Sequence, residues 1–359
     1  MTEEAALVPG NQRAWLTRSG RSGERDDWAL SNGVTPGGFG EVPDISQCTS
    51  LAEVRDVVAE SMPEDKPQAQ ANYAAQLWTL KDRMQIGDLV VLPRKATSQL
   101  AIGRISSPYA YLSDEPDKER RHTRSVEWVR VDVPRAAVKQ DLLYSLGAFL
   151  TYCEVSRNEA AKRIAILSET GKDPGTSAVF SPVSPASSTE AVLEASDSPV
   201  DLEQFATDRI TATVQQEFSG HRMQDLVAAV LTAQGFTCRV APEGADGGVD
   251  ILAGSGPLGM DEPRLVVQVK SEQSPIGDPV VTQLLGSISK HQPAHGLLVA
   301  WGGLTQPARK TALNNYFRLR TWDAAELVKQ ITTHYTKLPE EIRADLPLKQ
   351  VWLLVEEAK

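Results

Sequence analysis

Between Glu243 and Lys270 two short apolar runs flank a Gly/Pro-rich gap, and polar side chains stand where the runs begin and end. The first run follows Gly247 and Gly248, opens on Asp250 and continues through Ile251, Leu252 and Ala253. The second runs Leu265-Val266-Val267-Gln268-Val269-Lys270 and closes on a Gln-x-Lys pair. Short apolar runs bounded by glycine and proline read as strands. Side chains alternate across a strand, so Gln268 and Lys270 share one face while Val267 and Val269 share the other. If the two strands pair, Asp250 meets both polar groups at one spot.

The surrounding elements supply a frame for that pair. Polar helix material spans Leu202 to Glu217. A second helix, His221 to Gln234, carries an apolar stripe of Met223, Leu226, Val227, Val230 and Leu231, and Gly235 stands just past its end. A strand at Phe236 to Ala241 precedes the two runs. A helix at Asp278 to Lys290, a strand at Gly296 to Trp301, a helix at Gln306 to Asn315, a strand at Arg318 to Arg320 and a helix at Asp323 to Thr333 follow them. This alternation predicts a sheet with helices on both faces. The tail after Leu338 holds Val351, Trp352, Leu353, Leu354 and Val355, which are expected to pack back on one of the domains.

The N-terminal half reads as a smaller α+β or barrel-like unit. Ala14 to Thr17 is a strand candidate, followed by a basic loop with Arg18, Arg21 and Arg25, and Gly37-Gly38-Phe39-Gly40 marks a tight turn. Ser50 to Glu60 is a helix with Ser50 and Glu53 spaced as a capping box. A longer helix covers Pro67 to Met84. A hairpin joins Gln85–Pro93 to Leu100–Ile105, Val126 to Val133 is a third strand, and Gln140 to Leu150 a short helix. From Ser168 to Pro199 the composition turns to Ser, Pro, Ala, Gly, Thr and acid, too poor in apolar surface to offset the entropy of ordering. The predicted organisation is a tail at 1–10, a domain at 11–167, a linker at 168–203, a second domain at 204–335 and an extension at 336–359.

The net charge of -10 argues at first against nucleic acid. However, 169–204 holds seven acids against one base, which is six of those ten charges, so the folded parts are close to neutral. Cys48, Cys153 and Cys238 are far apart, without metal-binding spacing, and read as reduced thiols. The acidic N-terminus lacks the pattern of a signal peptide, and no apolar run reaches the length of a membrane span. The expected location is the cytoplasm.

A carboxylate, an amide oxygen and an ammonium at one strand end suit phosphodiester hydrolysis. That reaction needs an activated water and stabilisation of charge on phosphorus, both of which Mg²⁺ on oxygen ligands supplies. Asp250, the Gln268 amide oxygen and the Val269 carbonyl are the candidate metal ligands, and Lys270 is placed to act on the water or the phosphate. Mn²⁺ is a substitute ion. Asp225 is the only acid in the helix at 221–234 and is the candidate to complete the site. The plainer readings make Asp250 a turn residue and leave Gln268 and Lys270 on a solvated strand face.

Gly220-His221, Met223-Gln224-Asp225-Leu226-Val227, Gly235-Phe236, Asp246-Gly247-Gly248-Val249-Asp250-Ile251, Val267-Gln268-Val269-Lys270 and Gly296-Leu297-Leu298-Val299 together resemble the catalytic domain of the Mrr-type restriction endonucleases, a branch of the PD-(D/E)xK nucleases. The resemblance spans most of 218–333. It implies a restriction-endonuclease-like α/β fold, a mixed sheet flanked by helices, and Mg²⁺-dependent DNA cleavage with Asp250, Gln268 and Lys270 as motif residues. The family's common Phe-Glu on the first helix is Met223-Gln224 here, so either Gln224 or Asp225 serves the site. In the N-terminal half, Gly38-Phe39-Gly40-Glu41 with Ile86-Gly87-Asp88-Leu89-Val90 and Ile102-Gly103-Arg104-Ile105 resembles PUA-like barrels, especially their EVE branch. That likeness implies a reader of modified bases with aromatic walls, drawn from Trp15, Trp28, Phe39, Trp78, Tyr109 and Tyr111, and phosphate contacts from Arg18, Arg21, Arg25, Arg94, Lys95 and Arg104. The expected partner is double-stranded DNA carrying a modified base, cut by a homodimer because two strands need two sites. An RNA-cleaving effector and a binding module with a decayed nuclease domain are the alternatives.

Overall fold

A computed structural model of the chain describes residues 12–20, 22–95, 97–148, 150–176, 201–242, 248–290 and 295–352. The chain divides into two compact units, one reaching Leu202 and the other starting at Glu203.

The first unit is built on strands β1 (Ala14–Thr17), β2 (Leu89–Arg94), β3 (Gln99–Tyr111), β4 (His122–Pro134) and β5 (Tyr152–Glu154) in the order β4-β3-β2-β1-β5. β1 and β2 are parallel and the other pairs antiparallel. The sheet is open: β4 and β5 are its edges, and no closed barrel forms among the described residues, contrary to the expected barrel. β5 is only three residues long and pairs with β1 alone.

Alternation along the central strands splits the core in two. Leu16, Leu89 and Val91 face α4 (Gln140–Ser145) and α5 (Ala160–Thr170) through Leu142, Leu146, Ile164 and Leu167. Trp15 and Val90 face the other way, onto Leu80, Met84, Ile105 and Tyr152. Beside that cluster α2 (Leu51–Ser61) and α3 (Pro67–Trp78) pack through Val54, Val58, Ala74 and Leu77. The Ser50 hydroxyl accepts the Glu53 N–H at 3.3 Å, as the capping signal predicts, while the Glu53 carboxylate accepts from Thr49 N–H at 2.6 Å. The helix expected to reach Met84 changes at Thr79 into a π-turn, Thr79–Arg83, where Arg124 donates to the Leu80 and Lys81 carbonyls.

Two acids assigned to the linker belong to this unit. The predicted boundary at 167 falls inside α5, and beyond it Asp173 is buried against Arg163, with contacts of 2.8 and 2.7 Å. Burial raises the Asp173 pKa, but the guanidinium outweighs it and holds the carboxyl below its usual range. Asp201 is also buried and pairs with Lys95 at 3.0 Å and Arg18 at 3.4 Å. These charges are compensated inside the fold and are not part of a solvated tail; 177–200 lie outside the described residues.

The second unit holds β6 (Thr237–Val240), β7 (Ile251–Ser255), β8 (Asp261–Lys270), β9 (His295–Ala300) and β10 (Leu319–Trp322) in the order β10-β9-β8-β7-β6. β6, β7 and β8 run antiparallel, and β8, β9 and β10 parallel, giving a mixed sheet with helices on both sides. On one face α8 (Asp278–Lys290) and α9 (Gln306–Asn314) bury Val281, Leu284, Ile288, Ala308 and Ala312 against Val266 and Leu298. After α6 (Leu202–Glu217), α7 (His221–Ala233) packs on β6, β7 and α10 (Ala324–His334). The chain then forms α11 (Glu340–Asp345), and Tyr335 Oη accepts the Leu348 N–H at 2.8 Å. The expected return of the apolar tail does not occur at Val351 and Trp352, which are exposed; 353–355 lie outside the described residues. Among the described residues no helix is long and apolar enough to cross a membrane, and all three cysteines are free thiols.

In the first unit Asp26 opens α1 (Asp26–Asn32), is buried, and accepts a hydrogen bond from the Ser19 hydroxyl. Burial pushes its carboxyl up to about 6, against the lowering effects of Ser19 and Arg94. A raised carboxyl pKa means that the folded state holds the proton more tightly than the unfolded chain. Asp26 therefore weakens the fold progressively as pH rises from about 4 to about 6, by a limit of ~3 kcal/mol. Asp26→Asn should remove that slope and raise the melting temperature at pH 7.5 more than at pH 4.5, measured by circular dichroism.

Candidate active site

The antiparallel pairing of β7 and β8 sets Ile251 opposite Val267 and brings the residue before β7 to the end of β8. There Asp250 is tied by both backbone and side chain. Its N–H donates to the Val267 carbonyl at 2.9 Å, and its Oδ2 accepts the Val269 N–H at 2.6 Å. These two bonds bracket Gln268. The Gln268 side chain is 2% exposed, and its Oε1 has no hydrogen-bond partner among the described residues. Lys270 is half-buried and ends the strand on the same face as Gln268.

The helix contribution comes from Gln224. Its Nε2 donates to Asp250 Oδ1 at 3.1 Å. Asp225, the acid expected to complete the site, is exposed, and the helix residue hydrogen-bonded to Asp250 is its neighbour Gln224. Successive helical side chains are about 100° apart, so only one of the two can face the sheet. The start of α7 is also joined to the end of β8: Gly220 N–H donates to Ser271 Oγ at 3.2 Å.

Two further residues shape the site: Gly248, which belongs to the motif, and Gln283, which the motif does not include. Gln283 reaches in from α8, and Gly248 supplies bare backbone with φ +83°. A Cβ on Gly248 would lie 3.0 Å from Gln268 Nε2 and 3.1 Å from Gln283 Nε2. The periodicity of α8 marks Val281, Leu284 and Ile288 as core but says nothing of which polar residue borders Asp250. Asp246 and Gly247 of the motif lie outside the described residues. At the Gly302-Gly303 turn both N–H groups are occupied within the fold, donating to Glu272 O and Ala300 O at 3.0 and 2.8 Å.

Among the described residues no group of three or more His, Cys, Asp or Glu side chains could hold a metal ion. The available donors are instead one carboxylate and neutral oxygens. Asp250 supplies the carboxylate, and among the described residues the buried Gln268 oxygen has no donor. That set fits a hard divalent cation of modest affinity.

The reader candidates fall into different environments. Trp15 is fully buried, and its indole N–H donates to Asp88 at 2.7 Å, so it is a core residue and not a wall. Trp28, Phe39, Trp78 and Tyr109 are half-buried. Arg120 lies over the Trp28 ring at 5.3 Å and Lys81 over Trp78 at 5.6 Å. Phe39 sits at φ 60°, close to Tyr73 and Tyr152, with ring centroids at 5.9 and 6.4 Å. Tyr109 Oη bonds His122 Nδ1 at 2.7 Å, and burial lowers the pKa of His122, whose Nε2 bonds Val42 O. Arg18 is buried on Asp201, which removes it from the phosphate-contacting set. Arg104 is half-buried on β3, and Arg21 lies outside the described residues.

Gly248→Ala should destabilise the second unit by ~1–3 kcal/mol, since a positive φ and the two amides both oppose a side chain. A lowered urea midpoint at unchanged slope is the expected reading.

Two family models match the chain. One is a domain of unknown function (DUF8426) over residues 15–143. The other, described as a restriction endonuclease, is the Mrr catalytic model over residues 215–331. No curated protein matches the chain. Solved structures that match the chain include MspJI restriction endonuclease in complex with a 27-mer oligonucleotide, at 12% identity and TM-score 0.32, covering 92% of this chain and 70% of that one. The DNA modification-dependent restriction endonuclease AspBHI matches at 14% identity and TM-score 0.32, covering 79% and 74%. The family match, and not these distant structures, carries the assignment, and it spans every residue that the sheet pairing gathers around Asp250. Residues 215–331 of this chain are a restriction endonuclease domain of the Mrr catalytic family.

Proposed function

We propose that the chain is a metal-dependent endodeoxyribonuclease that hydrolyses phosphodiester bonds in duplex DNA carrying a modified base, as in modification-dependent restriction of phage DNA. The observation that supports it most is the buried Gln268 oxygen, unpartnered among the described residues and bracketed by two bonds to Asp250 within the restriction endonuclease domain. A buried amide oxygen without a donor is unfavourable unless a ligand completes it.

In this reading Asp250, Gln268 Oε1 and the Val269 carbonyl hold Mg²⁺ or Mn²⁺. When bound, the ion supplies Lewis-acid polarisation of the phosphate and lowers the pKa of water. Val269 N–H and Gln224 Nε2 orient the Asp250 carboxylate and keep it from turning away. Lys270 stabilises charge on the phosphate or orients the attacking water. The first unit acts as the reader, with Phe39 and its aromatic neighbours as the stacking surface. A pair of copies cuts the two strands, and the enzyme works in the cytoplasm.

The discriminating assay incubates the purified chain with plasmid DNA, unmodified or carrying 5-methylcytosine or 5-hydroxymethylcytosine, and with RNA, each with Mg²⁺ or EDTA. Cleavage of modified DNA only, abolished by EDTA, is expected. Cutting of RNA alone would replace this reading with the effector nuclease, and no cutting at all would favour a binding module. Lys270→Ala should slow cleavage by about a hundredfold or more while leaving gel-shift affinity within a few-fold. Phe39→Ala should reduce the preference for modified over unmodified plasmid by about tenfold, consistent with loss of ~1–3 kcal/mol of stacking.

A further inference from the structure

Two apolar surfaces of the second unit are exposed on the same chain and do not cover each other. The first lies where α9 turns into β10. Leu313, Tyr316 and Phe317 are exposed there, Phe317 at 87%. The turn holds them in place: the Asn315 carbonyl accepts the N–H groups of Arg318 and Leu319, both at 2.8 Å. The two rings meet edge to face at 5.4 Å, and the Arg320 guanidinium lies 3.4 Å over Tyr316. Because β8, β9 and β10 are parallel, this patch sits at the end of the sheet where β8 begins, and Lys270 closes the other end. Covering the patch leaves the candidate active site open. β10 is also the outermost strand on its side, so an extended segment laid beside the patch meets a strand edge that no described strand occupies.

The second surface follows Leu348. The chain is fastened up to that residue: Leu346 is buried, and Tyr335 Oη accepts the Leu348 N–H at 2.8 Å. Beyond it Val351 and Trp352 are exposed, Trp352 at 96%. They open the run Val351-Trp352-Leu353-Leu354-Val355, which includes β-branched and aromatic strand formers and is followed by Glu356 and Glu357. The charges match those at the patch. Arg318 and Arg320 border it, are exposed, and donate to the Ser289 hydroxyl and the Tyr316 carbonyl, neither of which carries a charge. Burying Trp352, Phe317 and Tyr316 of two copies removes on the order of 1,000 Å² from water, about what a specific interface needs.

We propose that two copies of this chain exchange the segment 351–355, each laying it on the Leu313, Tyr316 and Phe317 patch and the β10 edge of the other, with Glu356 and Glu357 on Arg318 and Arg320. The proposal rests on the reading that two copies act together, and it names the surface that joins them. The exchange is isologous, so both contacts form at once and the pair closes without leaving either surface for a third copy.

The test is sedimentation velocity of the full-length chain over a range of concentrations, alone and with duplex DNA. The wild type is expected to be a concentration-dependent dimer. Phe317→Asp and Trp352→Asp should each raise the dimer dissociation constant about thirtyfold or more, as loss of a central aromatic anchor does. The urea midpoint should stay unchanged, because both side chains are exposed. Mixing the two variants should recover more dimer than either forms alone: the intact segment of one meets the intact patch of the other, and the two substitutions fall in one contact, where their costs do not add. A wild-type dimer untouched by both variants overturns this contact and leaves the pair standing. A wild-type chain that is monomeric in every condition overturns the pair as well. A mixture no more dimeric than its components shows that segment and patch do not meet, and overturns the exchange.

Discussion

The hydrogen bond from Val269 N–H to the Asp250 carboxylate joins the start of one strand to the end of its neighbour, and the site of the second unit depends on it. It fixes a carboxylate beside a buried amide through a donor that belongs to the backbone of the neighbouring strand. Everything nearby is arranged on that bond. Gln224 reaches the other carboxylate oxygen from α7, and Gly248 leaves room for two glutamine side chains above the strand. The Trp301 N–H fastens the Lys270 carbonyl to the end of β9 at 2.9 Å. A polar cluster held this way is preorganised by the sheet and needs little rearrangement to receive a ligand.

The first unit solves a different problem, the burial of charge. Arg163 is 1% exposed and lies between Asp141 and Asp173; Arg18 and Lys95 share Asp201. Asp88 collects the Trp15 indole, Arg13 N–H and Gln85 N–H at one turn. Such groups are tolerated in a core only when each polar atom is met, and each network joins segments far apart in sequence. Residues whose chemistry suggests a phosphate contact, Arg18 above all, are used for this instead.

Much of the second unit was legible in the chain. The stripe on α7, the glycine after it and the alternating runs of β7 and β8 follow the periods of 3.6 and 2 that local burial imposes. The pairing of Asp250 with the end of β8 followed from the same logic. The first unit was less legible. β5 is too short to show a pattern, α5 was hidden by the polar composition after it, and strand edges carry no local mark. Hence a barrel was expected where the sheet stays open.

The sequence by itself determined the elements of the nuclease domain, the shared face of Gln268 and Lys270, and the presence of one firm carboxylate, because these depend on backbone periodicity and residue chemistry alone. Only the tertiary structure decided between Gln224 and Asp225, brought Gln283 to the site, and moved Trp15 and Arg18 from candidate contacts into the core. The physical reason is that a side chain's partner depends on how helices rotate and pack on the sheet. That packing is fixed by contacts between segments tens of residues apart, and a local pattern does not carry it.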